Sequence, residues 1–305
     1  MCVAFLFLAG DDTGPTVPRV VLCVNRDEAY SRPTLASHWW EDSSEIFAGR
    51  DERAGGTWLG VTKTGRVAVL TNFAESIGVE AASTNFQVLP SRGGLVSDFL
   101  SSTNTDGPMQ YLEKLKEQRN EFAGFNLIVG DTTTGEFAYL GNRGDVRAAN
   151  PKRLDAHSPK EGIGMGKQSY GLIYAVSNAT LDVPWPKVEL GKERLRCAME
   201  TFNANGTTGD FANRLIHEVL ENRELATEET GEQKSGTKSA LPLRDNPSAF
   251  VKPGACPHRP IYGTRCSTVI TATAREVTVL EKSMRWSDGK GQWQEPVSTK
   301  FRIEQ

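Results

Sequence analysis

Apolar positions in this chain fall into short runs separated by turn-forming residues, and most of the runs come in adjacent pairs. Val3–Ala9 and Arg19–Val24 flank the polar stretch Asp11-Asp12-Thr13-Gly14-Pro15, which predicts a hairpin at the N-terminus. Thr57–Val61 and Val67–Leu70 flank Lys63-Thr64-Gly65, and Phe125–Val129 and Phe137–Leu140 flank a turn over Asp131–Gly135. Ser267–Thr273 pairs with Val277–Leu280 around Ala274-Arg275, and Ser298–Ile303 is expected as a closing strand. Helical spacing appears between these blocks. Leu95, Val96, Phe99 and Leu100 follow Ser91, a candidate N-cap, and Met109, Leu112 and Leu115 form a second stripe. A third helix opens at Pro186 and carries Val188, Leu190, Leu195 and Met199, and a fourth carries Phe211, Leu215, Ile216, Val219 and Leu220. Hairpins with helices between blocks predict an α+β fold on antiparallel strands, not a parallel βαβ sheet.

The segment 227–260 has no periodicity and is rich in Gly, Pro, Ser, Lys and Glu. It is too long for an ordinary loop and reads as a flexible surface insertion in a single domain spanning 1–305, because strands after it complete the sheet. With 38% hydrophobic and 24% charged residues the chain can bury a sizeable core. A net charge of −3 with scattered basic residues argues against nucleic acid or a membrane surface as partner. The apolar run Val3–Gly10 is too short to span a bilayer and lacks a basic leader segment, so it reads as a buried strand. The five cysteines are widely spaced with no CxxC pair, which fits a reducing, cytoplasmic setting and signals neither a disulfide framework nor a metal site. No cofactor is expected.

Cys2 is the first candidate for chemistry. Methionine is trimmed before small residues, and trimming would place a thiol and a free α-amine on one residue. An α-amine titrates at about 7.7–8.0, so part of it is neutral near pH 7 and can serve as base toward the thiol. The plain alternative is a small hydrophobe in a strand. Asn25-Arg26-Asp27-Glu28 ends the second strand of the N-terminal hairpin, which brings Arg26 and Asp27 back beside Cys2. A guanidinium there would favour the thiolate and a carboxylate would orient an amine, although a charged turn needs neither role. Asn72 and Asn178 each follow an apolar strand, where an amide can donate to an oxyanion or simply make a turn. Gly55-Gly56-Thr57-Trp58-Leu59-Gly60 precedes a strand and not a helix, so it is no phosphate loop.

Taken in order, Met1-Cys2, Asn25-Arg26-Asp27-Glu28 with Ser31-Arg32-Pro33, the Gly55–Gly60 run, Thr71-Asn72-Phe73 and Ser91-Arg92-Gly93 form a recognisable pattern. It continues through Gly124-Phe125-Asn126-Leu127, Ser177-Asn178-Ala179, Pro184-Trp185-Pro186-Lys187 and Tyr262-Gly263-Thr264-Arg265. The sequence resembles the Transport and Golgi organisation protein 2 family, known for its NRDE motif, over nearly its whole length. That family in turn resembles the cysteine branch of the N-terminal-nucleophile (Ntn) hydrolases. The resemblance implies an αββα sandwich of two antiparallel sheets and cleavage of non-peptide C–N amide bonds. It implies Cys2 as nucleophile, Arg26 as thiolate partner, Asp27 or Glu28 as the acid, Asn72 and Asn178 as oxyanion donors and Arg265 as a second basic residue. It also implies a role in Golgi organisation and secretion, with a cytoplasmic protein associated with the Golgi or mitochondria. Two functions compete: an amidohydrolase acting on a small amide-containing metabolite, and a non-catalytic carrier of a hydrophobic one such as haem or an acyl-CoA or lipid.

Overall fold

The N-terminal apolar run carries two sets of side chains, and each set enters a different core. In the computed structural model the described residues are 2–10, 17–74, 89–102, 106–144, 150–156, 171–181, 185–202, 207–221, 248–256 and 259–304. Strand β1 (Val3–Ala9) points Ala4, Leu6 and Leu8 to one side and Val3, Phe5 and Phe7 to the other. Both sets are buried, which is why the run is continuously hydrophobic and does not alternate with polar residues.

One side of β1 pairs antiparallel with β2 (Val20–Ala29), in the register Val3 to Asn25, and the other with β10 (Gly171–Val176). β2 is paired in turn with the long β12 (Arg259–Ala272), and β12 with β13 (Glu276–Ser287). β11 (Gly254–Cys256), β14 (Lys290–Trp293) and β15 (Val297–Arg302) complete an eight-stranded sheet. The second sheet has seven strands in simple sequence order: β3 (Thr34–Trp39), β4 (Ile46–Asp51), β5 (Leu59–Thr62), β6 (Arg66–Asn72), β7 (Phe125–Asp131), β8 (Glu136–Gly141) and β9 (Lys152–Leu154).

Three cores hold four layers together. Between the sheets, Leu6, Leu22 and Ile270 meet Val61, Val69 and Ile128. Outside the first sheet, Phe5, Phe7, Cys23 and Val269 pack under α3 (Pro186–Glu200) and α4 (Thr208–Leu215), the latter running on into a π-helical turn at Ile216–Leu220. Outside the second sheet, Ala68, Leu70 and Leu127 pack under α1 (Gly93–Ser101) and α2 (Pro108–Lys116). Each fully buried Phe or Leu contributes about 1.5–3 kcal/mol, so the alternation on β1 alone ties two cores to one strand. Close approach of α3 depends on Gly191, where an added Cβ would lie 2.1 Å from the Phe5 ring. The layer order is αββα, built from antiparallel pairs throughout the described residues.

Several expectations change in detail. α1 starts at Gly93 with Arg92 at the N-cap, and Ser91 makes only a long 3.4 Å contact from the Gly93 N–H. The hairpin of β3 and β4 lies in a stretch whose sequence announces no strand. Within the presumed surface insertion, 227–247 and 257–258 lie outside the described residues, but Ala249, Phe250 and Val251 are buried and β11 pairs with β12. The polar turn Asp11–Pro15 also lies outside the described residues. Among the described residues no helix is long and apolar enough to cross a membrane.

Candidate functional site

The NRDE motif is read best as the last residues of a central strand, whose side chains leave alternately toward the helices and toward the opposite sheet. Asn25 turns to the helix layer: its Nδ2 donates to the Leu220 and Ala249 carbonyls at 2.9 Å, and its Oδ1 accepts from Ser267 Oγ at 2.7 Å. Arg26 turns inward. Its guanidinium lies 4.2 Å over the Trp58 ring, donates to Thr34 Oγ1 at 3.1 Å and stands 3.6 Å from Asp51. Asp27 Oδ1 accepts from Thr264 Oγ1 at 2.7 Å. Glu28 accepts from the Ala29 N–H at 2.8 Å and stands 4.0 Å from Arg32. The antiparallel register of β1 and β2 sets Cys2 opposite Arg26.

A cavity of about 110 Å³ at this end of the inter-sheet layer is lined by Cys2, Arg26, Asp27, Trp58, Asn72 and Arg92, among others. Of the residues singled out from the sequence, Cys2, Arg26, Asp27, its alternative Glu28 and Asn72 therefore meet in one place. Asn178 does not line this cavity. Its Nδ2 donates to the Asn72 main-chain carbonyl, so it holds the end of β6 and lies behind Asn72. Arg265 is next door, in a hollow of about 430 Å³ that shares Arg26, Arg32 and Trp58 with the first. Its Nη1 donates to the carbonyls of Ala29 at 3.1 Å and Arg32 at 2.8 Å, which fixes the loop after β2. The strand ends thus gather around two adjoining hollows.

Other residues support the site without having been singled out. Ser177 Oγ donates to the Cys2 carbonyl at 2.7 Å. Asn126 Nδ2 bonds the Ser177 and Ala179 carbonyls at 3.1 and 3.0 Å, while its Oδ1 accepts from Tyr139 Oη at 2.7 Å. Together they tie the end of β10 to the second sheet. The one sequence signal was a buried amide within the apolar Gly124–Leu127 run. The Gly55–Gly60 run is also structural. A Cβ on Gly56 would lie 2.5 Å from the Gly93 carbonyl carbon, so this glycine lets the start of α1 close the cavity.

Burial dominates the electrostatics. It pushes the Cys2 thiol up, against the chain's N-terminal ammonium, a bond from the Asp27 N–H and the Arg26 guanidinium, while the Asp27 charge adds to the rise. Burial also pushes the Asp27 carboxyl up, opposed by the N-terminal ammonium, by Lys187 and by the Thr264 hydroxyl. Between the two acids considered, Asp27 is the one whose charge reaches the thiol. No cluster of His, Cys, Asp and Glu suited to a metal ion occurs among the described residues.

These features define a class: a four-layer αββα domain with a cysteine at residue 2, at the open end of a central strand, beside an arginine and a buried aspartate. More particularly, the chain belongs to the Transport and Golgi organisation 2 family, whose model matches residues 1–286. The human Transport and Golgi organization protein 2 homolog is 32% identical over 295 residues, covering 94% of this chain and 95% of that protein. The mouse homolog is 31% identical over 291 residues, covering 93% of each chain. Among solved structures, an N-acylethanolamine-hydrolyzing acid amidase ortholog from Caenorhabditis elegans superposes with a TM-score of 0.45 at 13% identity, covering 88% of this chain and 92% of that one. A mutant conjugated bile acid hydrolase from Clostridium perfringens gives a TM-score of 0.45 at 9% identity, covering 97% and 96%.

Proposed function

We propose that this protein hydrolyses small non-peptide amides, with Cys2 as nucleophile once removal of Met1 has made it the N-terminal residue. The observation that supports this reading is the convergence of Cys2, Arg26, Asp27 and Asn72 on one 110 Å³ cavity. A buried thiol is a poor nucleophile until a base takes its proton. The freed α-amine of Cys2 is that base: it accepts the Sγ proton while Sγ bonds to the amide carbonyl carbon. The Asn72 amide donates to the oxyanion, and Asn178 holds the strand end that presents it. The resulting ammonium passes its proton to the departing nitrogen as the C–N bond breaks, leaving a thioester on Cys2. Water, deprotonated by the same amine, then releases the acid and restores the thiol. Arg26 keeps positive charge beside the sulfur, and Asp27 orients the amine.

Intact mass should show Met1 absent, and incubation with short N-acyl amides should release amine and leave an acyl adduct on the Cys2 peptide. Retained Met1, or amide release that survives Cys2→Ala, would overturn the reading. A second reading is supported by the larger hollow, which combines Tyr30, Trp58, Met284 and Trp286 with Arg26, Arg32 and Arg265. Such a surface would hold a hydrophobic metabolite with an acidic group, haem or an acyl-lipid, without chemistry. Saturable binding undiminished by Cys2→Ala, in a protein inert toward amides, would favour that carrier.

A further inference from the structure

The two halves of the cavity stand on opposite sheets. Cys2 precedes β1 in the eight-stranded sheet, Asn72 ends β6 in the seven-stranded one, and both line the 110 Å³ cavity. Face-to-face sheets lie about 10 Å apart, and apolar side chains between them permit small slides. Removal of Met1 adds a second freedom, because a first residue frays unless it is tied down.

The ties that remove both freedoms converge on the two residues after β10. Ser177 Oγ donates to the Cys2 carbonyl at 2.7 Å, and Asn178 Nδ2 donates to the Asn72 carbonyl. The Asn178 carbonyl accepts from the Ala74 N–H at 2.8 Å, and the Ser177 carbonyl accepts from Thr71 Oγ1. One dipeptide thus holds Cys2 with its first residue and the end of β6 with its second.

Asn126 in turn grips that dipeptide. It lies on β7 opposite Thr71 and is 1% exposed. Its Nδ2 reaches across to the Ser177 and Ala179 carbonyls at 3.1 and 3.0 Å, with Thr71 Oγ1 at 3.2 Å. Carbonyls only accept, so the amide nitrogen has to face them. Tyr139 Oη, donating to Asn126 Oδ1 at 2.7 Å, holds the amide against rotation. Gly141 leaves room for this pair: a Cβ there would lie 2.7 Å from Tyr139 Oη and 3.3 Å from Asn126 Oδ1. A buried polar network satisfied in this way has one arrangement, where sliding apolar contacts have many.

We propose that Asn126 is a positioning residue that sets the gap between the Cys2 thiol and the Asn72 oxyanion donor, with Tyr139 holding Asn126 in register. Asn126 acts through Ser177 and Asn178 and touches no reacting atom. The inference rests on the proposed function, since a fixed gap matters only if Cys2 attacks a carbonyl whose oxyanion Asn72 receives. An error of one ångström between such groups costs about a hundredfold in rate.

The test compares two reactions of one sulfur in Met1-free protein, both read from the mass of the Cys2 peptide. p-Nitrophenyl acetate acylates the thiol through a tetrahedral oxyanion, with p-nitrophenolate leaving. Iodoacetamide alkylates it by displacing iodide and needs no oxyanion donor. Asn126→Ala should lower the acylation rate about a hundredfold and leave alkylation within about twofold. An unchanged ratio of the two rates would overturn the proposal. So would alkylation that speeds up as acylation falls, the mark of local unfolding around Cys2. Tyr139→Phe keeps the amide but frees it to turn, and should lower the ratio about fivefold. Should Asn126→Ala fail to fold, Tyr139→Phe decides, and a ratio equal to that of the unmutated protein refutes the proposal. An unmutated Cys2 that takes iodoacetamide but no acetyl group removes the hydrolase reading and this inference with it. Normal acylation in both folded variants sinks the role of Asn126 alone.

Discussion

Two buried thiols flank Arg26, Cys2 before β1 on one side and Cys266 on β12 on the other. Burial pushes both up, and Arg26 opposes the rise at both. They differ in what else surrounds them. Cys2 has the chain's N-terminal ammonium and the Asp27 N–H on its side and the Asp27 charge against it, whereas Cys266 faces the carboxylate of Glu281, which lifts it further, with Arg265 in weaker opposition. A shared arginine therefore does not make a reactive cysteine. The local positive charge must outweigh the desolvation that the same packing imposes. Cys2 alone stands where removal of one residue can supply an amine within its own backbone.

The contrast can be broken most completely at Cys2. Cys2→Ala should abolish thiol-dependent amide turnover, and any retained turnover would move the chemistry to another thiol, Cys266 foremost. Removing the shared neighbour comes next. Arg26→Ala deletes the stacking on Trp58 and the pairing with Asp51, and should cost about 3 kcal/mol in denaturant unfolding. It should slow alkylation of both thiols, whereas a slowing confined to Cys266 would contradict the role given to Arg26 at Cys2.

Glu281→Gln sharpens the other side. The Glu281 carboxylate accepts from the Ser37 N–H and hydroxyl at 3.0 and 2.7 Å, from Thr268 at 3.1 Å and from Ser283 at 3.0 Å, linking the two sheets. Replacing it should cost about 2 kcal/mol and bring Cys266 closer to Cys2 in reactivity, read by competitive alkylation at pH 8. The smallest effect is expected at Asn178. Asn178→Ala removes one bond to the Asn72 carbonyl, costing about 1 kcal/mol. It should lower kcat more than it raises KM, because Asn72 is displaced from the oxyanion and not from the resting substrate.

Much of this was legible from periodicity. Hairpins bounded by Gly, Asp and Asn, and helices striped at 3.6 residues, are written in local side-chain order, which suffices where each face meets a core. The hairpin of β3 and β4 escaped because Thr34–Trp39 is half-exposed and broken by a bulge between Leu35 and His38, so no clean alternation survives. The first half of β12 escaped for a related reason: Gly263 and Thr264 pair with Glu28 and Asp27 at the charged end of β2. At the site, hairpin geometry alone located Arg26 and Asp27 beside Cys2. Side-chain direction was beyond it. Asn178 turns its amide onto Asn72, and Arg265 spends its Nη1 on carbonyls of the next loop.

The Cys2 thiol is buried and pushed up, while Cys197 on α3 is exposed. The most direct measurement is therefore the Cys2-to-Cys197 alkylation ratio at pH 7, taken on chains with Met1 retained and with Met1 removed. Freeing the Cys2 amine should raise that ratio by at least about tenfold, as an intramolecular base would. An equal ratio in the two forms would contradict the central claim that the N-terminal amine activates this thiol.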